Sequence, residues 1–478
     1  MSPKRKISER LLALLRDGHE LTRRQQAALV IQLSLPAMLA QMANILMFFI
    51  DASMVGHLGA TEAASVGLVE TTFWLMGGLT GALATGFYVQ VAHRIGAKDE
   101  ANARAVLRES LTTAMIFSIL VGGIGVAISN SLPSWLGGEE SLHAGATTFF
   151  MIFAFFTPFV QLNQLSAGML RCAGDIKTPS LMEGALCILD VMLNFLLIYP
   201  TREVTLGHIT LTIPGVGMGV AGAALGSGLA FAIIATWMTV ILFRRHGPLR
   251  LIQERWLGWK AFLPKRATVR QALGIGSPIG VQHSLMSGAQ IFTTTIVASL
   301  GSFAIAAHTF AITAESLCYM PGYGIGDAAT TLVGQSIGAK RWRMAKQLAG
   351  VSVATAMIIM TIMGVVLYFG AEAIMSLMTP QPDIIRLGAS ALRIEAFAEP
   401  MFGAAIVCYG VFVGAGSTAI PAFMNLVSMW GVRIILALAL VGSMGLNGVW
   451  VAMAVELTFR GIIFLLRLRS RRWLPTSQ

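Results

Sequence analysis

The sequence predicts an all-α polytopic membrane protein. About twelve transmembrane helices are expected, in two six-helix lobes related by a parallel internal repeat. Three observations lead there: an apolar composition, apolar runs broken at regular intervals, and basic residues confined to alternate loops.

Of the 478 residues, 55% are hydrophobic and 12% charged. The mean hydropathy is +0.72. Soluble domains carry about a quarter charged residues, so an aqueous globular fold is excluded. A hydrocarbon layer of ~30 Å needs roughly 20 apolar residues per helix. Stretches that satisfy this lie near 31–54, 62–93, 109–130, 144–171, 178–200, 218–244, 272–297, 304–337, 348–369, 388–414, 419–441 and 446–468.

The net charge of +11 follows the topology of these spans. Lys and Arg crowd the segment before the first span, the loops after the second and eighth, the stretch from Arg244 to Arg270, and the tail from Arg467 to Arg472; the alternate loops hold almost none, with Arg202 and Arg386 as the exceptions. By the positive-inside rule both termini are cytoplasmic, as an even number of spans requires, in a plasma (inner) membrane. The basic excess therefore does not indicate nucleic acid as a partner. Residues 1–30, with a periodic Leu pattern, read as a retained amphipathic cytoplasmic segment. Residues 245–271 read as a basic cytoplasmic linker between lobes 31–244 and 272–468, and 469–478 as a cytoplasmic tail. Cys172, Cys187, Cys318 and Cys408 lack any CxxC spacing and indicate neither disulfides nor a metal centre.

The lobes repeat one another. Pro36 to Gly59 and Pro278 to Gly301 are equally long, and IGAK at 95–98 returns at 337–340, both 242 residues on. The same offset relates TAMI at 113–116 to 355–358, Pro158 to Pro400, Gly168 to Gly410 and Pro179 to Pro421. A six-helix unit used twice enters the membrane from the same side each time, the parallel kind of transporter repeat. Two such bundles enclose a cavity and suggest alternating access within one chain, functional as a monomer.

FIDASMVGHLG, RCAGDIKTP, LGSFAIAAHTFAITAESL with AATTLVGQSIGAKR, and MWGVRI with GVWVAMAVELTFRG resemble the multidrug and toxic compound extrusion (MATE) family over residues 30–472. The resemblance implies a twelve-helix, two-lobed and V-shaped antiporter that exports small organic compounds, often amphipathic or cationic, against protons or sodium ions. A lipid-linked precursor flippase or a dedicated metabolite exporter of the same superfamily is the alternative. No cofactor besides the coupling ion is expected, and no catalytic residue: HExxH, GxSxG with partners and GxxxxGK[ST] are absent from the sequence.

Within the spans, carboxylates mark the ion path, because an acid in hydrocarbon is costly and faces a cavity or a partner. Asp51 interrupts the first span and has Thr293 as its repeat counterpart. Asp190 and Asn194, four apart on one helix face, have Val432 and Leu436. The polar set thus belongs to the first lobe alone. The resemblance assigns Asp51, Asp190, Asn194 and, with them, Ser227 to cation coupling. The oxygens of Asp51, Asp190 and Asn194 form a candidate sodium site, and the same carboxylates could instead hold a proton. The positions used by the second-lobe cation site of vibrio-type relatives are Met286 and Phe402 here, so coupling is expected in the first lobe.

Phe48, Phe155, Met286, His283 and Gln41 are candidate cavity residues by span position, His283 and Gln41 being a repeat pair. Membrane lipids are the other expected partners. Glu456 and Arg460, four apart, read as an intrahelical ion pair, and Arg433, Arg393 and Glu395 as members of structural networks.

Overall fold

In the computed structural model, residues 10–15, 17, 19–206, 209–244, 249, 259–470 and 472–474 are described. Hydrocarbon leaves each backbone N–H and C=O to be satisfied within the chain, so the apolar runs become helices. They are α1 (Arg23–Gly56), α2 (Ala60–Gly96), α3 (Glu100–Ile128), α4 (Glu140–Cys172), α5 (Lys177–Ile198), α6 (Val220–Arg244), α7 (Arg266–Ala298), α8 (Ser302–Gly338), α9 (Trp342–Met378), α10 (Pro382–Ala396), α11 (Glu399–Gly414), α12 (Ala419–Met444) and α13 (Leu446–Ser470). The protein is all-α and multi-pass.

Among the described residues, ten of these helices are long and apolar enough to cross a membrane, and the pair α10–α11 makes eleven. The remaining expected span, the seventh, is α7, a 33-residue helix diluted by Gln282, His283, Ser284, Ser287 and Gln290. The tenth is broken: α10 and α11 meet at 60°. Pro400 lies in the first turn of α11 and has no N–H to close a bond across the break, whereas its counterpart Pro158 lies inside the continuous α4. Within α12, Met429–Ile434 winds as a π-helix.

One departure from pure helix was not expected. Pro200–Leu206 and Ile209–Val216 form an antiparallel hairpin, β1–β2, between α5 and α6, with Leu206 opposite Ile209 and an irregularity between Pro200 and Arg202. The alternating β-branched residues of VTL and ITLTI around a Gly carry this signal.

The repeat is written into the backbone as well. Left-handed residues recur at the same spacing: Gly59 with Gly301, Gly174 with Gly416, and Lys98 (φ 60°) with Lys340 (φ 57°). Each lysine closes a helix. Lys98 N–H donates to Ile95 and Asp99 N–H to Arg94, as Lys340 does to Ile337 and Arg341 to Ser336.

Two compact units are distinguished, and they follow packing rather than chain order. One gathers residues up to Met42, Val89–Asp99 and Gly274 onward; the other gathers Ala43–Tyr88 and Glu100–Leu273. In the first unit the ends of α2 and α8 cross so closely that only glycine fits. A Cβ on Gly96 would overlap the Gln335 carbonyl, and one on Gly338 the His93 carbonyl. The N-terminal leucines Leu11, Leu12 and Leu15 are buried in this unit, while Arg10 and Ala13 on the same short helix are exposed. Arg341 donates to the carbonyls of Leu15 (3.1 Å) and His19 (2.6 Å), and Lys98 pairs with Asp17 at 2.7 Å. Trp473, expected in a tail, is buried near Phe412 and donates to the Leu468 carbonyl. The stretch 245–248 and 250–258 of the expected linker lies outside the described residues; its end is a 3-10 turn, Trp259–Phe262, followed by the first turns of α7.

In the second unit α4 packs on α3 and α6, and α5 on α6. Gly222 and Gly226 of α6 form a small-xxx-small face that lets the backbones of α5 and α6 touch. A Cβ on Gly222 would lie 2.5 Å from the Leu197 carbonyl.

Candidate functional site

Within that second unit, three helices bring one polar set together in otherwise apolar surroundings. α1 carries Asp51 near its end, α5 carries Asp190 and Asn194 one turn apart, and α6 carries Ser227. Asn194 is the hub. Its Nδ2 donates to Asp51 Oδ1 at 2.9 Å, to Asp190 Oδ2 at 3.1 Å and, more weakly, to Ser227 Oγ at 3.4 Å. Asp190 and Asn194 are completely buried, Asp51 and Ser227 half-buried.

The close α5–α6 approach positions the amide. A Cβ at Gly226 would collide with Asn194 Oδ1, so glycine is required there, a constraint the sequence reading did not identify. Tyr199 Oη donates to the Met54 carbonyl at 2.9 Å, tying the end of α5 to that of α1 beside the acids.

This cluster offers hard oxygen donors from two carboxylates, an amide and a hydroxyl. Asp190 Oδ1 and Asn194 Oδ1 are buried and have no hydrogen-bond partner among the described residues. The donor types suit a small monovalent cation, and two adjoining carboxyls with no fixed positive charge among the four residues equally suit a proton.

The cavity candidates divide between the two units. Phe48 lies in the second unit with its ring 4.8 Å from Trp74, whose Nε1 donates to Glu70 at 3.3 Å. Phe155 is in the same unit, exposed, with its ring edge-on to Phe156. Gln41, His283 and Met286 belong to the first unit. Gln41 Nε2 reaches Asp327 Oδ2 at 3.4 Å, while His283 is exposed and Met286 half-buried.

The family model described as MatE matches this chain twice, over residues 36–196 and 278–439, which are the two repeats. The chain belongs to the MatE family. Among curated MatE relatives, the probable multidrug resistance protein NorM of Thermotoga maritima is 25% identical over 93% of this chain and 92% of its own length. The multidrug resistance protein PmpM of Pseudomonas aeruginosa is also 25% identical, over 93% and 91%. A MATE crystallised in complex with MaL6 superposes with a TM-score of 0.85, covering 96% of this chain and 98% of that one at 22% identity, a likeness of fold.

The MatE chain also has a polar cluster that sequence reading placed only in part. The expected Glu456–Arg460 pair is present at 2.5 Å, and Arg433 adds a second guanidinium to the same carboxylate at 2.7 Å. Arg393 pairs with Glu372 at 2.8 Å. Glu395, expected in such a network, instead has both carboxyl oxygens without a hydrogen-bond partner among the described residues.

Proposed function

We propose that this MatE transporter exports amphipathic and cationic organic compounds by antiport against protons or sodium ions, with Asp51, Asp190, Asn194 and Ser227 as the coupling site. The observation that carries this reading is the single amide of Asn194 held between two carboxylates from different helices. Binding a proton or sodium ion there cancels charge and displaces the amide, and so changes how α1 packs on α5. Two packings that differ in their affinity for the ion form a two-state element that an ion gradient can bias. The relatives named as multidrug resistance proteins support the substrate class.

Phe48 and Trp74, with Glu70 beside them, supply the aromatic faces and negative charge that attract organic cations. The protein works as a monomer in the plasma membrane with both termini in the cytoplasm, in line with its basic loops.

The deciding experiment is efflux of a fluorescent organic cation from proteoliposomes under separately imposed proton and sodium gradients. Wild type responds to one gradient, which names the ion, and Asp51→Asn and Asp190→Asn respond to neither. Equal transport by the variants would refute the coupling assignment.

A further inference from the structure

Arg386 breaks the rule that confines basic residues to cytoplasmic loops. It opens the second turn of α10, just after the turn that joins α9 to α10, and so stands at the far end of α9 from the basic stretch Lys340–Lys346. With both termini in the cytoplasm, that end lies on the outer side of the membrane. The Arg386 guanidinium is exposed and makes no hydrogen bond or ion pair among the described residues; Asp383, three residues before it, does not engage it.

The sequence places a polar stripe around it. Arg386, Ser390 and Arg393 follow one another at spacings of four and three, so they project from one face of α10. Tyr368 and Glu372, four apart, do the same on α9, which packs against α10. These two faces, with Phe397 just beyond the last turn of α10, line a cleft of about 730 Å³. Arg393 spans it, donating to Glu372 Oε1 at 2.8 Å and from its Nε to the Tyr368 carbonyl at 3.4 Å. The lining therefore holds two guanidiniums and one carboxylate, and the unbalanced positive charge is that of Arg386.

The rest of the wall is apolar and continues onto the surface of the protein. The Tyr368 ring lies edge-on to Phe369 at 5.3 Å and to Phe397 at 5.5 Å, and these two phenylalanines are 79% and 76% exposed. Rings so exposed on membrane-spanning helices meet acyl chains. A soluble anion would use only the guanidiniums of such a cleft, whereas a phospholipid uses both the charge and the aromatic wall.

The repeat shows that the scaffold does not require these groups. At the offset of 242 the first half has Ala144, Thr148 and Met151 in place of Arg386, Ser390 and Arg393, and Val126 and Asn130 in place of Tyr368 and Glu372. Moreover, α3 stops at Ile128, the counterpart of Gly370, while α9 runs on to Met378, so Glu372 stands on a part of α9 that α3 lacks. The charged cleft is particular to the second half.

We propose that the α9–α10 cleft binds an anionic phospholipid, with the headgroup phosphate on Arg386 beside the Arg393–Glu372 bridge and an acyl chain over Phe397 and Phe369. A guanidinium suits this headgroup because two parallel N–H groups meet two phosphate oxygens. A zwitterionic headgroup gains less, since the carboxylate of the lining is already taken by Arg393. The site shares no residue with the proposed coupling cluster. It rests on the export reading only for the leaflet, which the cytoplasmic termini make the outer one.

The test is native mass spectrometry of the purified full-length protein in detergent, titrated with phosphatidylglycerol or phosphatidylcholine. Wild type retains one phosphatidylglycerol about tenfold more tightly than phosphatidylcholine, and Arg386→Gln removes most of that difference, as loss of one charge-assisted phosphate contact predicts. Arg386→Lys recovers part of it, and Arg343→Gln, at the opposite end of α9, leaves the tightest site unaltered. Phosphatidylglycerol also raises the thermal midpoint of wild type but not of Arg386→Gln, whose midpoint without lipid equals that of wild type. The proposal is overturned if Arg386→Gln keeps the affinity and selectivity of wild type, or if glycerol 3-phosphate competes as well as the intact lipid, which would make the occupant a soluble anion. The leaflet is read separately from Arg386→Cys and a membrane-impermeant maleimide, the four native cysteines being buried. Reaction in intact cells supports the outer leaflet; reaction only after permeabilisation would refute the topology while the binding data still decide the site.

Discussion

Gly96 and Gly338 make one contact twice. Each lies where a Cβ would strike the backbone carbonyl of the residue three positions before the other, Gln335 for Gly96 and His93 for Gly338. Ala92 and Gly334, a repeat pair themselves, face each other between them, where a Cβ on Gly334 would lie 2.9 Å from that of Ala92. The relationship is a local two-fold made by the repeat.

Substitution at either member of this pair should therefore cost the same. Gly96→Ala and Gly338→Ala are each expected to destabilise the protein by about 1–3 kcal/mol through overpacking, read as equal falls in thermal midpoint in detergent. Gly77→Ala, with nothing near its Cβ, should leave the midpoint unchanged. Unequal effects at 96 and 338 would count against the reciprocal contact.

At the first cluster, Gly226→Ala pushes on Asn194 Oδ1 and should reduce gradient-driven efflux nearly as far as Asn194→Ala does, although residue 226 binds nothing itself. Ser227→Ala should be the mildest change in the set, since its bond to Asn194 is the longest. Initial efflux rates across the three variants check this order.

Removing the Glu456 carboxylate leaves the two buried guanidiniums of Arg433 and Arg460 uncompensated. Glu456→Gln is expected to cost about 3–5 kcal/mol of stability, and adding Arg433→Met should recover part of the loss. A double-variant cycle on thermal midpoints measures it; no recovery would mean that the pair is not coupled.

Trp74→Ala removes the ring packed at a tilt against Phe48 and should raise the half-saturating concentration of an aromatic organic cation several-fold, roughly 0.5–1 kcal/mol for an exposed cation–π contact. The maximal rate under the same gradient should change little. A fall in rate with unchanged half-saturation would assign Trp74 to the gating motion instead.

Much of the fold was legible in the sequence because bilayer constraints are coarse: span length, charged loops and the matched Pro and Gly positions need no side-chain geometry. The break after Ala396 was not legible, since Pro400 and Pro158 match while only one helix breaks. The β1–β2 hairpin was passed over because its alternating pattern is short beside the apolar runs around it. For the candidate site, Asp51, Asp190 and Asn194 stood out as acids and an amide inside apolar runs. Their convergence on one amide depends on Gly222 and Gly226, whose role is to be absent where Asn194 and the α5 backbone lie. Glu395 and Glu399 were obscure for the opposite reason: an acid inside a span ordinarily has a hydrogen-bond partner, and only three-dimensional packing shows that neither carboxyl has one among the described residues.

The two polar clusters never coincide under the repeat. Asp51, Asp190 and Asn194 map onto Thr293, Val432 and Leu436, and Glu315, Glu395 and Glu399 map back onto Phe73, Phe153 and Thr157. A molecule built from two copies of the first half would carry the oxygen cluster twice and the acid trio not at all; two copies of the second half would do the reverse. Divergence of the two repeats has thus left a symmetric scaffold with an asymmetric set of buried polar groups, each written in the sequence of one half alone.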